Sequence, residues 1–145
     1  MAGFIRKLSL EGLGDRYEDA ALLALRVVTG LFLIYQSHDN VLSAARMDEF
    51  VGFMGQFGFW RPDILAPFAI FWQVAAGISF ILGLFVRPLG LITAIQFVVA
   101  VWMVHWSQTF DGWWPAAILV FLGLYFFARG GGSYALDARF TGRRG

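Results

Sequence analysis

The chain has 145 residues and a net charge of +1, and 59% of its residues are hydrophobic while only 14% are charged. Soluble domains average about 45–50% apolar and about 25% charged residues, so this composition excludes an ordinary water-soluble surface. The small net charge gives no support for a nucleic-acid partner. Because the chain has no cysteine, it cannot form a disulfide framework, a thiolate nucleophile or a Cys-held iron–sulfur cluster. The composition therefore predicts a protein that is solvated by lipid.

Four apolar segments are long enough to cross a bilayer, which requires about 20 residues of helix. They follow residues 1–19, which we interpret as a cytoplasmic arm rather than a signal peptide because acidic residues precede the first apolar run. The segments run from Ala20 to Ser37, from Leu65 to Val86, from Pro88 to Ser107 and from Trp113 to Ala128. Residues 129–145 form a basic cytoplasmic tail. The predicted fold is all-α, an integral membrane four-helix bundle within residues 20–128.

The longest connection between the spans covers residues 38–64 and has a helical pattern of its own. Its apolar residues recur at helical spacing, and acidic and amide residues lie between them. The apolar residues are Met47, Phe50, Val51, Met54 and Phe57. This pattern predicts a short amphipathic helix that lies in the membrane interface. Because Gly52, Gly55 and Gly58 permit sharp bends, a re-entrant segment packed among the spans is the alternative.

The lysine and arginine residues that flank the spans predict the orientation of the chain. With four spans both termini lie on the same side, and that side carries eight basic residues against two on the other. The eight are Arg6, Lys7, Arg16, Arg87, Arg129, Arg139, Arg143 and Arg144, and the two are Arg46 and Arg61. The excess of basic residues predicts cytoplasmic termini and an external connection at residues 38–64.

Polar and small residues within the spans indicate how the helices pack. Arg26 is expected to snorkel to the headgroups or to donate to carbonyl or hydroxyl oxygens, because no acid lies at its depth on the other spans. Gln96 is expected to bridge two helices through its side chain. Ala75, Ser79 and Gly83 lie four apart on the second span, a stripe of small residues that lets another helix approach closely. The partner helix belongs to the same bundle or to a second copy.

A layer of polar and aromatic residues lies towards the outer ends of the spans. Its members are His38, Asp39, Gln73, Trp102 and His105. Histidines from two helices can hold a b-type haem, or join carboxylates around a metal ion, and such a layer can also hydrogen-bond and stack on a quinone head. We favour simple anchoring at the headgroups over a quinone or another lipophilic ligand, and rank haem and metal last. With no nucleophile–base pair, phosphate loop or zinc spacing in the sequence, no catalytic residue is assigned.

Three stretches resemble the DoxX family. They are LRVVTGLFL at residues 25–33, the run from FGFWRP at 57–62 to QVAAGISFILGLFVRP at 73–88, and GGGSYALD at 130–137. The resemblance implies a four-helix protein of the bacterial cytoplasmic membrane, similar to the small membrane subunit of thiosulfate:quinone oxidoreductase. Two departures argue against carrying over an activity: Gln73 replaces the Glu typical of the family, and the first span ends in His38-Asp39-Asn40-Val41-Leu42 instead of a HGxxKL-like run.

Two functions remain open at this point. The first is a membrane subunit of a redox-linked assembly that contacts quinone near the outer leaflet through His38, Gln73 and His105. The second is a non-catalytic interaction protein that stabilises a larger membrane complex or forms a homo-oligomer. Neither makes the chain an enzyme on its own. A transporter is disfavoured because the sequence has no evident inverted repeat.

Overall fold

The computed structural model describes residues 1–9 and 11–142. These residues form helices joined by short turns, without a strand. The helices are α1 (Ala2–Leu8), α2 (Glu11–Leu42), α3 (Ala44–Gln56), α4 (Pro62–Leu82), α5 (Val86–Ala100), α6 (Phe110–Arg129) and α7 (Leu136–Thr141). A π-helical turn, Val101–His105, extends α5. We define two ends of the bundle. The terminal end contains the start of α2, the α4–α5 turn and α7. The loop end is opposite and contains α3 and the α5–α6 connection.

Within the described residues, four helices are long and apolar enough to span a membrane. They are Gly12–Leu42, Pro62–Leu82, Val86–His105 and Phe110–Arg129. The prediction of an all-α bundle with four spans is therefore confirmed. The sequence predicts residues 11–19 as part of the arm because many of them are charged. In the structure these residues continue the helix of the first span. A helix that has formed gains one hydrogen bond for each added residue, so scattered charges do not end it.

The connection between the first two spans contains the amphipathic helix that its spacing predicts. Helix α3 begins after Ser43, which has an extended backbone and a side chain that accepts a hydrogen bond from the main-chain NH of Arg46. The helix buries Met54 and contacts both α2 and α4. Its polypeptide is a single helix of 13 residues rather than a hairpin. Gly58 lies two residues after the end of α3 and has a φ of +76°.

Two pairs of glycines bring the spanning helices close together. A Cβ atom on Gly30 of α2 would lie 2.5 Å from the carbonyl oxygen of Gly77 on α4. Likewise, a Cβ on Gly90 of α5 would lie 2.7 Å from the carbonyl oxygen of Gly123 on α6. Close backbone approach through small residues is the usual way in which helices associate in lipid. The bundle thus consists of two tight pairs, α2 with α4 and α5 with α6.

The small-residue stripe predicted on the second span has several roles in the bundle. Ser79 is buried and donates its hydroxyl to the carbonyl oxygen of Leu84, 2.5 Å away. Gly83 ends α4, and a Cβ there would lie 2.5 Å from the Cα of Ala135. Ala75 is partly buried. The close backbone contact with Gly30 of α2 is made by Gly77, which lies outside the stripe.

A local prediction from the sequence is confirmed. The amide of Gln96 on α5 donates to the carbonyl oxygen of Ala69 on α4, at 3.3 Å, and so bridges two helices. Helix α6 ends at Arg129, and Gly130 follows with a φ of +78°. Arg143 and Arg144, which contribute to the predicted orientation, lie outside the described residues.

Candidate functional site

His38 and Asp39 interact with each other and with their own helix at the loop end. The His38 Nε2 lies 2.8 Å from the Asp39 Oδ1, and its Nδ1 hydrogen-bonds to the main-chain carbonyl of Tyr35. Its ring also stacks on the Tyr35 ring, with the ring centroids 5.4 Å apart. Since both ring nitrogens are engaged, His38 in this orientation offers no nitrogen to a haem iron or a metal ion.

The other polar candidates of the predicted layer lie apart from His38. Gln73 is partly buried on α4, and its side chain makes no hydrogen bond with a described residue. His105 is the last residue of the π-helical turn, and its Nδ1 lies 2.9 Å from the Gln108 Oε1. In the part of the chain that the structure describes, no hydrogen bond or ring contact joins any two of His38, Gln73 and His105, and no group of three acidic or histidine side chains could hold a metal ion.

Trp102 lies in an apolar groove between α5 and α6 at the loop end. The groove has a volume of about 550 Å³, which is within the usual range of ligand pockets, about 300–1,000 Å³. Its walls are Val98, Val101, Trp102, Trp106, Trp113, Ala117, Val120 and Phe121. The π-helical turn carries Trp102 and precedes Trp106, and turns of this kind are frequent at functional sites. We call this feature the tryptophan groove.

The chemistry of the tryptophan groove suits a flat apolar ligand. Trp102 and Trp106 are 74% and 78% exposed and so form its open wall, while Trp113 is partly buried. An indole offers a broad π surface for stacking and one N–H donor. None of the side chains that line the groove titrates, so the groove can bind and orient a ring but cannot transfer a proton to it.

At the terminal end, Asp137 anchors the C-terminal segment of the chain to the α4–α5 turn. Its carboxylate oxygens accept hydrogen bonds from the main-chain NH groups of Phe85, at 2.9 Å, and Val86, at 3.0 Å. Its own NH donates to the carbonyl oxygen of Gly83, at 2.9 Å. A carboxylate at the first turn of a helix satisfies orphan NH groups and complements the helix dipole. Asp137 therefore joins α7 to the start of α5.

Arg26 of α2 lies near these contacts of Asp137 and is fully buried against α4. Its Nη1 donates to the carbonyl oxygen of Phe80 at 2.8 Å, which confirms the prediction that it bonds to a carbonyl, although it does not snorkel. Its Nε and Nη2 have no hydrogen-bond partner among the described residues. Asp137 is the acid that interacts electrostatically with it. Gly83 provides the space, since a Cβ there would lie 2.5 Å from Nη1.

A second group of polar contacts ties the end of α6 and the following loop to α2. The Nη2 of Arg129 lies 2.9 Å from the Glu18 Oε1 and 3.6 Å from the Asp19 Oδ1. The Ser133 hydroxyl donates to the Asp19 carboxylate. Sequence reasoning assigned no role to Glu18, Asp19 or Ser133. The only signal for this region was the run at residues 130–137, which resembles the closing element of a family.

Together these features define a four-span, all-α membrane protein whose tail is folded back on the bundle. The DoxX family model matches residues 21–106. This match covers more than half of the 145 residues, and the chain belongs to the DoxX family. The match begins within the first span and continues through the third, whereas α6 and the contacts of Asp137 lie beyond it. No curated protein and no solved structure matches the chain.

Proposed function

We propose that the protein is a membrane subunit of a redox-linked assembly and that it binds a flat lipophilic ligand of the quinone class in the tryptophan groove. The indoles of Trp102, Trp106 and Trp113 around a groove of about 550 Å³ are the observation that carries this proposal. The resemblance of the family to a subunit of thiosulfate:quinone oxidoreductase supports the ligand class. The chain supplies binding rather than catalysis, because no titratable side chain lines the groove.

The position of the groove supports entry of the ligand from the lipid. Trp102 and Trp106 lie at the loop end of the third span, at the depth where tryptophans concentrate in membrane proteins. Their exposed rings face the surroundings of the bundle rather than its core. A ring with a long apolar tail would reach this wall by lateral diffusion within one leaflet, with its head between the indoles and its tail along α6.

Quenching of tryptophan fluorescence by a short-chain quinone tests the proposal in lipid nanodiscs. Trp102→Ala removes one wall, and because a stacked aromatic pair contributes about 1 kcal/mol, the dissociation constant should rise about fivefold. Trp60→Ala is the matched control, since Trp60 is 79% exposed at the same end but outside the groove. It should leave the dissociation constant unchanged. Quenching that never saturates, or that both variants weaken equally, would overturn the proposal.

A non-catalytic interaction protein is the second candidate function. It is favoured by the separation of the polar candidates, since His38 and His105 each bind neighbours in sequence and no reacting set assembles at the loop end. A role in stabilising a membrane complex needs no such set. Cross-linking in native membranes, followed by mass spectrometry, should then recover a protein partner or a second copy of the chain. Recovery of the uncross-linked monomer alone would count against this function.

The orientation is part of the proposal. The termini lie in the cytoplasm and the protein in the bacterial cytoplasmic membrane, as the eight basic residues on the terminal side and two on the loop side support. A fluorescent protein fused after Gly145 should fluoresce, and alkaline phosphatase fused at the same place should be inactive. The same reporters inserted at Gly58 should give the opposite result. Phosphatase activity from the fusion at Gly145 would reverse the orientation.

A further inference from the structure

A second cavity, of about 410 Å³, lies at the terminal end and has no part in the tryptophan groove. It is formed by the start of α5, the end of α6, the glycine run 130–132 and α7. Its polar wall includes Arg87, Arg129 and Thr141, and Phe85 and Pro88 give it an apolar rim. We call it the terminal cavity. A cavity with both cationic and apolar walls suits a ligand that has both kinds of surface.

Most of the charges around the terminal cavity are already compensated. Arg129 is paired with Glu18 and Asp19. Asp137 also lines the cavity, but both its carboxylate oxygens accept main-chain hydrogen bonds. Both groups are therefore engaged by other parts of the chain.

Arg87 is the exception on this wall. Its guanidinium donates to the main-chain carbonyl oxygens of Phe127, Ala128 and Arg129, at 3.2, 2.9 and 3.4 Å. No acidic side chain in the described part of the chain forms an ion pair with it. These carbonyl bonds fix the guanidinium beside the cavity without neutralising it. Gly130 allows the position, because a Cβ there would lie 3.1 Å from the Arg87 Nε.

The depth of Arg87 indicates where a ligand would come from. Arg87 belongs to the first turn of α5, immediately before the apolar part of the third span, which is the level of the lipid headgroups. Phe85, beside it, is 62% exposed and presents an apolar ring to the surroundings of the bundle. A phosphate held near the guanidinium would therefore leave its acyl chains against apolar surface.

We propose that the terminal cavity binds the phosphate of an anionic phospholipid headgroup, with Arg87 as the cation that recognises it. Arginine recognises phosphate through charge-assisted hydrogen bonds, and basic pockets between spanning helices bind anionic headgroups. The phosphate lies beside the Arg87 guanidinium, over the main chain of the glycine run, and Thr141 forms part of the opposite wall. This site goes beyond the function proposed for the tryptophan groove and does not depend on it.

Native mass spectrometry of the protein released from detergent micelles tests this site. Phosphatidylglycerol and phosphatidylcholine with the same acyl chains are titrated, and the dissociation constant of the first adduct is measured. Two variants disturb the cavity differently: Arg87→Gln removes the cation, and Thr141→Glu adds an anion without breaking the hydrogen bonds of Arg87. Arg16→Gln is the control, because it removes the same charge from an exposed side chain at the same end.

We expect wild type to prefer phosphatidylglycerol, and both cavity variants to weaken its binding about fivefold or more while the control does not. Circular dichroism shows whether each variant is folded. If Arg87→Gln is unfolded, Thr141→Glu still tests the site. Equal affinity for the two lipids, or equal weakening in the control, would overturn the proposal. Millimolar inorganic phosphate should not displace the lipid. Displacement at that concentration would assign the cavity to free phosphate and overturn its assignment to a lipid.

Discussion

The two ends of the bundle are held together in different ways. At the loop end, the polar contacts of Arg46, Arg61 and His105 join residues two or three positions apart. At the terminal end, they join residues that are distant in the sequence: Asp137 and Phe85 are 52 positions apart, and Arg129 and Glu18 are 111 apart. The polar contacts of the loop end are thus local, and those of the terminal end are tertiary.

This difference suggests a division of labour between the two ends. Long-range contacts fix helices relative to one another, so the polar contacts of the terminal end reinforce the packing that the glycine pairs provide. The polar contacts at the loop end are local, so they leave the wall of the tryptophan groove open to the surrounding lipid. Substitutions that are chemically alike should therefore have unequal effects at the two ends, and matched pairs test this expectation.

The largest difference is expected between two glycines that follow helices. Gly83 and Gly58 have similar φ angles, +73° and +76°, but a Cβ at Gly83 would lie 2.5 Å from the Cα of Ala135, whereas a Cβ at Gly58 meets nothing within 4 Å. Gly83→Ala should lower the free energy of unfolding by about 3 kcal/mol, through the left-handed backbone and the overpacking together. Gly58→Ala bears only the backbone cost, about 1 kcal/mol.

Reversible unfolding in mixed detergent–SDS micelles, followed by circular dichroism, measures both free energies. The wild type and the two variants are compared under the same micelle composition. If the two substitutions cost the same, the packing of Ala135 against Gly83 does not contribute to stability, and the terminal end is no more constrained than the loop end.

The next largest difference is expected between two aspartates. Asp137→Ala removes two charge-assisted hydrogen bonds to the main chain at the start of α5 and should lower the free energy of unfolding by about 2 kcal/mol. Asp39→Ala breaks only an exposed contact with the adjacent His38 and should cost less than about 0.5 kcal/mol. Asp137→Asn, which keeps one acceptor oxygen, should recover part of the loss in the same unfolding assay. A cost at Asp39 equal to that at Asp137 would contradict the comparison.

What the sequence could predict follows the same division. The four spans, helix α3, and the carbonyl bonds of Arg26 and Gln96 depend on composition, periodicity and depth in the membrane, which are local properties of the sequence. The role of Asp137 depends on where residues 51 and 52 positions away lie, and no local pattern contains that information. Its only sequence signal was the resemblance of residues 130–137 to a family element.

Helix rotation accounts for the remaining differences. The stripe at Ala75, Ser79 and Gly83 is a correct pattern of small residues, yet Gly77, about 160° around α4 from Ser79, makes the close backbone contact with Gly30 of α2. The predicted polar layer likewise rests on shared depth alone. Residues at one depth can point away from one another, and in this way Trp102 faces the tryptophan groove while His38 contacts Tyr35.

The smallest effects are expected at the two histidines, although they are the most conspicuous residues of the predicted layer. His38→Gln and His105→Gln remove contacts with residues no more than three positions away, so each should change the free energy of unfolding by less than about 0.5 kcal/mol. Because neither ring lines the tryptophan groove, the dissociation constant for the short-chain quinone should stay unchanged in both variants. The fluorescence titration used for Trp102→Ala measures it, with that variant as the positive control. A weakening in both histidine variants that matches Trp102→Ala would mean that the loop-end layer assembles around the ligand. In that case the loop end, like the terminal end, would depend on contacts between distant residues.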